Sequence, residues 1–409
     1  MTEATETSRI ATGRAQETRI IALICGAHFV SHVYIIALPP LFFFIRAEYG
    51  VSYSELGLVV ALFNVVSTVL QAPAGFLVDR MAPAMTLVLA LALGASGLAL
   101  AGAVPLWWAL IAGWGLAGVA NTIYHPADYA ILSDAVETRR IGQAFSLHTF
   151  FGMVGTAATP ATMLFLATVW GWRGAMIGAA ALGYAVALVL LVQRRAFTAR
   201  AASRPRRNAE KVGWNLLLSP PILRNVLFFA LLAAAGSGIS NFSIVALGAL
   251  QGTALGVANF ALSSYLAMNA AGVLAGGYIA SRTRRHDRVA VAGFAASGFL
   301  VLLIGLVPLG GVALVALMGS AGFLNGIIQP SRDMIVRAVT PEGSFGKVFG
   351  FVSMGFSIGG VIAPLIYGWL MDLNEPRLVF LVAVGFTVLA LPLVRVPAAG
   401  TKASSAARP

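Results

Sequence analysis

Charged residues are scarce. They fill 10% of the 409 positions, against about 25% in an ordinary soluble domain. With 59% of the residues hydrophobic, too little charge remains to cover a soluble fold of this size, which excludes a soluble enzyme and a disordered chain. Cysteine is nearly absent. Cys25 stands alone, so no intrachain disulfide can form and a disulfide scaffold is excluded. No Gly-x-x-x-x-Gly-Lys motif occurs, which argues against a nucleotide-driven machine. No long polar segment could form the soluble output domain of a sensor or receptor.

What is present is a succession of apolar runs between turn signals. A helix needs about 20 apolar residues to cross the bilayer core. Twelve runs qualify, at roughly 20–45, 53–78, 84–103, 107–133, 142–168, 173–193, 223–247, 255–280, 288–307, 311–336, 346–370 and 378–395. Lipid leaves the helix as the way to satisfy backbone polar groups in an unclosed chain. Residues 1–18 are polar, and the first run is too long for the apolar region of a secretory signal. It is read as a retained membrane helix.

The basic residues fix an orientation. With both termini in the cytoplasm, 24 of the 27 Lys and Arg fall on the cytoplasmic side. Arg46, Arg173 and Arg377 fall on the other. That split obeys the positive-inside rule. The net charge of +12 is therefore a topology signal, and no nucleic-acid partner is expected. The expected organisation is a cytoplasmic N-tail over 1–19, a six-helix bundle over 20–193, a basic cytoplasmic linker over 194–221, a second bundle over 222–396 and a cytoplasmic C-tail over 397–409. The two halves resemble each other. Gly115, Gly118, Asn121 and Pro126 recur 204 positions later as Gly319, Gly322, Asn325 and Pro330. Gly142, Phe145, Gly155, Pro160 and Arg173 keep the same offset to Gly346, Phe349, Gly359, Pro364 and Arg377. The fold class is thus an all-α membrane protein, two pseudo-symmetric six-helix bundles about an axis along the membrane normal.

Span two ends in Gly75-Phe-Leu-Val-Asp79-Arg80, with a weakened copy, Gly277-Tyr-Ile-Ala-Ser281-Arg282, in the second half. The first segment resembles the first cytoplasmic loop motif of the major facilitator superfamily. Span five, with Gly152, Gly155 and Pro160, looks like the Gly/Pro-rich motif of that superfamily's antiporters. The order His28, His32, Pro39, then Gln71, Gly75, Asp79-Arg80, then Gly118 and His125-Pro126 resembles the fosmidomycin-resistance type of drug exporter. That branch usually has an acid where this chain has His32, and Glu where it has Ala127. The resemblance implies a conformational latch made of Gly75, Asp79, Arg80, Gly277 and Arg282. In the family this Asp caps a helix N-terminus of the opposite half, a favourable place for negative charge. Here the start of span eleven, near Gly346, is the expected partner.

Ionisable groups at membrane depth are costly and functional by default. His28, His32, His125 and His148 lie within apolar spans of the first half, with Asp128. At about 1.5 Å per residue, His28, His125 and His148 sit roughly 9–12 Å from the cytoplasmic edge and are expected to approach one another. The set reads as a proton-coupling cluster. The alternatives are neutral histidines bonded between helices and an Asp128 paired with Arg80 or Arg140 in a latch. Asn64, Gln71, Asn121, Tyr124, Ser240, Asn241, Tyr265, Asn269, Asn325 and Gln329 are candidates to line a substrate cavity. No Lys or Arg lies near a span centre, which disfavours strongly anionic cargo. Pro39-Pro40, Pro126, Pro160, Pro330 and Pro364 are expected to mark kinks or bends.

Enzyme signals are weak. His28-x-x-x-His32 is half of a membrane di-iron box, but five histidines are too few near one interface. Gly94-Ala-Ser96-Gly97 mimics an intramembrane protease nucleophile without a predicted histidine partner. The expectation is therefore a carrier, not an enzyme, with no cofactor and no metal site. It would be a monomer in the plasma (inner) membrane that moves a small molecule by alternating access. The coupling ion expected is the proton, with export of a drug-like or amphiphilic compound and uptake of a small metabolite as the alternative.

Overall fold

The computed structural model describes residues 3–137, 139–194, 197, 214–341 and 345–394; for residues 3–13, 72, 76, 79, 214 and 345–347 it describes the backbone alone. The elements are helical: α1 Glu3–Ile36, α2 Phe42–Tyr49, α3 Tyr53–Arg80, α4 Pro83–Ala103, α5 Trp107–Ala135, α6 Ile141–Val192, α7 Trp214–Leu217, α8 Pro220–Ser237, α9 Ser243–Gln251, α10 Leu255–Arg282, α11 His286–Leu306, α12 Gly311–Ala338, α13 Phe345–Asp372 and α14 Pro376–Ala390. A 3-10 turn, Pro39–Leu41, links α1 to α2, and a π-helical turn, Gly238–Phe242, links α8 to α9.

Among the described residues, ten helices are long and apolar enough to cross a membrane. One of them, α6, has 52 residues and holds spans five and six. Its helical course breaks at Gly171, with φ 72° and ψ 165°, a backbone region that favours glycine. A Cβ on Gly178 would lie 3.3 Å from Leu166 Cδ1, so the chain doubles back there as a hairpin. The twelfth span is α5, with 29 residues. It is long enough to cross but carries Asn121, His125 and Asp128, which dilute its apolarity.

The expected first span is divided. Pro39 and Pro40 open a 3-10 turn, and α2 restarts at Phe42. By contrast, Pro126, Pro160, Pro330 and Pro364 lie inside continuous helices. Helix α1 begins at Glu3, inside the stretch expected as the N-tail. Glu17 is buried and receives Arg140 Nη1 at 2.9 Å, and Arg19 Nε donates to Gln193 Oε1 at 2.7 Å. Most of the expected linker, with Arg195, Arg200, Arg204, Arg206, Arg207 and Lys211, lies outside the described residues, as does the C-tail.

Small residues let the helices approach until backbones touch, the usual solution where lipid removes the hydrophobic drive to pack. The repeated glycines make repeated contacts. A Cβ on Gly118 would press on Phe63 of α3, and one on Gly322 on Tyr265 of α10. Likewise Gly155 faces the backbone of Phe29 in α1, and Gly359 that of Ala230 in α8. Gly97 of α4 and Gly113 of α5 pack backbone on backbone, while Ser96 Oγ bonds Ala92 O and Tyr184 Oη. The protease-like motif is therefore a helix-packing surface.

Arg173, two residues past the hairpin glycine, ties three elements together at the membrane end opposite residues 80 and 140. It bonds Glu48 Oε1 at 2.7 Å and Tyr49 Oη at 2.6 Å from α2. It also bonds the carbonyls of Ala101 and Val104 at the end of α4, at 3.4 and 3.1 Å. Trp172 Nε1 adds a bond to Glu48 Oε2 at 2.6 Å. Burial pushes the Glu48 carboxyl up, but the bonds from Arg173 and Trp172 outweigh it and hold the group below its ordinary 4.5. Arg173→Ala should cost about 1.5–3 kcal/mol, the range for hydrogen bonds to charged groups, toward the lower end because Glu48 is part-exposed. Because the Glu48 value is depressed on folding, its contribution is complete above the ordinary carboxylate value and lost as pH falls through the folded one. Thermal melts of wild type and Glu48→Gln should therefore converge between about pH 6 and about pH 3.

Candidate functional site

The first-half histidines come from three helices. α1 supplies His28 and His32, four residues and one turn apart on one face. α5 supplies His125 and Asp128, and the first arm of α6 supplies His148. The structure brings all five side chains together. His28 and His148 stack with ring centroids 3.6 Å apart and planes 18° apart. His32 and His125 meet His28 edge-on at 4.5 and 4.9 Å. Asp128 Oδ2 lies 2.9 Å from His148 Nε2 and 3.4 Å from His28 Nδ1. His32 Nδ1 bonds Thr156 Oγ1 at 2.8 Å. Tyr129 stacks on His125 at 5.9 Å.

Burial is graded across the cluster. His28, Asp128 and His148 are 2%, 0% and 0% exposed. His32 is half-buried and His125 is exposed. A carboxylate with no access to water is held against two imidazoles, and a third imidazole reaches the surface beside them. Such a chain can pass or hold a proton, since each ring nitrogen both accepts and donates in turn. Asp128 Oδ1 and His148 Nδ1 are buried without a hydrogen-bond partner.

The latch alternative for Asp128 does not match this placement. Asp128 contacts His148 and His28, while Arg140 pairs with Glu17 and bonds Thr18 Oγ1 at 3.5 Å. Arg80 is exposed at the end of α3. The Asp79 side chain and its expected partner near Gly346 lie outside the described side chains. Gly75 and Gly277 have open space where a Cβ would stand, and Arg282 lies over the Tyr278 ring at 4.3 Å.

The cavity candidates divide. Tyr124 is a correction: it is buried within the first bundle and donates to Ala90 O at 3.2 Å, because its face of α5 packs on α4. Tyr265 is also buried; with Asn325 it lines a small cavity among second-half helices. Asn269 Nδ2 bonds Asn325 Oδ1 at 2.9 Å, and Gln329 Nε2 bonds Asn269 Oδ1 at 3.0 Å. Asn121 Nδ2 reaches Ser67 Oγ at 3.3 Å. Asn241 Nδ2 bonds Ser237 Oγ at 3.0 Å, and Ser240 is half-buried beside it in the π-helical turn. Asn64 faces Gly360 of α13, and Gln71 is exposed. Arg332 is half-buried between the rings of Phe229 and Phe356, with Asp333 Oδ1 2.9 Å from its Nη2.

Sequence reasoning missed one polar contact between the halves. Asp372, at the end of α13, accepts the backbone N–H groups of Tyr53 and Ser54, both at 2.8 Å, and the Ser54 hydroxyl at 2.5 Å. It caps α3 from the other half, at the membrane end far from Arg80. Gly57 against Pro364, Gly368 against Tyr53, and Phe42 against Phe242 continue that seam. The signal available was an acid at the end of span eleven, facing an N-terminus that already had its own cap in Ser52.

Residues 24–250 and 226–409 match the family model of the Major Facilitator Superfamily. The chain is 25% identical over 144 residues to the "Probable L-galactonate transporter" of Escherichia coli (strain K12). That match spans 35% of this chain and about a third, 32%, of the relative's length. Among solved structures, a bacterial homolog of the human lysosomal transporter Spinster, inward-facing and occupied, aligns with TM-score 0.79 at 14% identity. The alignment covers 92% of this chain and 96% of that one. The unoccupied form gives 0.76 at 13% identity, over 94% and 99%. A mutant of the nucleoside transporter NupG gives 0.74 at 15%, over 92% and 98%. At these identities the structural likeness establishes the fold.

Two outcomes test the geometry. A Cβ on Gly152 would lie 2.6 Å from His28 Nε2 and 2.9 Å from His32 Cδ2. Gly152→Ala should thus displace the cluster and cost about 1–3 kcal/mol, as overpacking does, read as a lowered melting temperature. Asp372→Asn removes the charge from the α3 N-terminus, worth about 0.3–1 kcal/mol. Spin labels at the ends of α3 and α13 should then report a larger separated population.

Proposed function

The chain belongs to the Major Facilitator Superfamily, and on that premise we propose that it is a proton-coupled antiporter exporting a drug-like or amphiphilic compound. Its membrane-embedded, small-molecule-carrying character follows from the family, whose members are transporters rather than enzymes. The finer reading rests on one observation above all. A buried carboxylate, Asp128, is shared by two imidazoles in the first half, with an exposed third imidazole beside them. Gln329 stands at the repeat position of His125, in an amide chain with Asn269 and Asn325. At this matched position the first half therefore carries a group that can change charge, and the second carries one that cannot. That division suits a carrier in which the first half handles the proton and the second orients cargo.

The resemblance to fosmidomycin-resistance exporters sets the direction of transport in this reading. The basic count puts both termini and the linker in the cytoplasm. The Asp372 cap and the Gly57, Gly368 and Phe42 contacts then lie on the outer side and join the two halves there. Substrate meets Asn64, Gln71, Asn121, Asn241, Asn269 and Gln329 as the two halves rock about the midplane. Asp79-Arg80 would close the inner side in the opposite state. The monomer suffices, since both halves are in one chain.

A second reading is uptake of a small polar metabolite with protons. The partial likeness to a curated relative named for L-galactonate supports it, and a weak organic acid could meet a protonated histidine.

A growth-inhibition panel separates the two. A bacterial host lacking its own exporters would carry vector, wild type or Asp128→Asn at matched membrane expression. Resistance to a compound that is lost in Asp128→Asn is the expected result. Raised sensitivity in wild type would move the assignment to uptake. Unchanged resistance in Asp128→Asn would sink the coupling role of the cluster.

A further inference from the structure

Proton coupling leaves one feature of the histidine cluster without a purpose. A proton relay needs two or three groups in series. This site instead gathers ring nitrogens from three helices into one small volume. One ligand atom each from His28, His125 and His148 lies within 4.8 Å of the others. His28 Nδ1 and His148 Nε2 both face the same oxygen, Asp128 Oδ2. The second oxygen of that carboxylate, Oδ1, is buried with no partner. A buried unsatisfied acceptor of this kind is uncommon in folded proteins and costs free energy.

We propose that His28, His125, His148 and Asp128 form a binding site for a divalent late first-row transition-metal ion, with Zn2+ as the type case. Three imidazoles and one carboxylate are the donor set such ions take. Hard ions such as Mg2+ prefer all-oxygen shells and are disfavoured by the three nitrogens. Tetrahedral ligation at about 2.0–2.1 Å places donor atoms roughly 3.3 Å apart. Among the three histidine nitrogens the most distant pair must therefore draw in by about 1.5 Å at most, and the stacked rings of His28 and His148 must turn for both to face one ion. Asp128 Oδ2 already lies 2.9 and 3.4 Å from two of the nitrogens. The site has an entrance as well, because His125 is exposed while His28 and His148 are not. His32 packs edge-on against His28 and bonds Thr156 Oγ1, which orients the ligand rings from outside the shell.

Five histidines are too few at one interface for a membrane di-iron box. That count addressed a two-metal site. A single ion needs four donors, and the fold supplies them from residues 28, 125, 128 and 148. Bound, the ion would pin α1, α5 and the first arm of α6 together and occupy the nitrogens that protons otherwise use.

The test reads binding, so its outcome is independent of transport direction or substrate. Full-length protein purified through a tag without histidine, in detergent, is titrated with Co2+. The expected result is one ion per chain with the visible d–d bands of a low-coordinate nitrogen site. Zn2+ should displace it and Mg2+ should not. His125→Asn and His148→Gln should each weaken Co2+ binding by at least about tenfold, as loss of even an outer-shell partner often does. His286→Asn, which alters the histidine outside the cluster, should bind as wild type does. Thermal melts with and without Zn2+ check that each variant is folded, with wild type alone among the cluster set gaining stability. Absence of a saturable Co2+ band, or equal binding by folded His125→Asn and His148→Gln, would overturn the site.

Discussion

The contact between Asp128 and the paired rings of His28 and His148 constrains more of this molecule than its size suggests. A carboxylate with no exposed surface inside a lipid-surrounded bundle must be matched by donors fixed in place. Those donors lie on α1 and α6, so both helices must approach α5 closely at that level. Gly152 and Gly155 permit it: side chains there would collide with His28, His32 and the backbone of Phe29. Thr156 Oγ1 then bonds His32 Nδ1, while Ser31 Oγ lies 3.4 Å from His28 Nδ1, the nitrogen that also faces Asp128. The small residues of span five are thus the steric condition for a polar site within the bundle.

The two halves share this packing and differ in what it encloses. Gly155 and Gly359 bring α6 to α1 and α13 to α8; Gly118 and Gly322 bring α5 to α3 and α12 to α10. The backbone scheme is repeated, while the buried cluster of the first half is built of histidines and a carboxylate and the linked polar chain of the second half of amides. An amide keeps one charge state, so Asn269, Asn325 and Gln329 hold the same hydrogen-bond pattern at any pH. A histidine does not. The asymmetry therefore lies in chemistry alone, on a symmetric frame, which is an economical way to couple a charge change in one half to a rigid movement between halves.

Much of the fold was legible because lipid enforces simple rules. Scarce charge, span length and the placement of basic residues each follow from the cost of polar groups in hydrocarbon. The convergence of the histidines was legible too, because helical rise converts residue number into depth. What was not legible depends on which way a side chain faces. Tyr124 is polar and mid-span, yet its hydroxyl points to Ala90 inside the bundle. Arg140 had Asp128 as a plausible partner in sequence, but Glu17 on an extended α1 lies nearer in space. Asp372 reads as an ordinary end-of-helix acid until α3 is found beside it from the other half. The chain doubles back at the single non-helical residue Gly171, so the turn between spans five and six is tighter than a loop read from periodicity.

Asp372 and the histidine cluster lie on different structures and at different depths, yet both act on helices that must move. Asp372 spans the seam between α3 and α13, where Gly57 and Gly368 bring backbone against backbone and Gly360 receives the Asn64 side chain. Parting the halves at that end removes the cap and exposes two backbone N–H groups of α3, a cost water can repay at the membrane edge. Parting α1, α5 and α6 at the cluster would instead strand the Asp128 carboxylate and the buried rings of His28 and His148 without their partners, a costly loss for groups out of contact with water. The seam is therefore built to open and the cluster to stay together. In the proposed mechanism, a change in charge at the cluster would then act through the first bundle as a unit, tilting the balance at the seam rather than loosening the site itself.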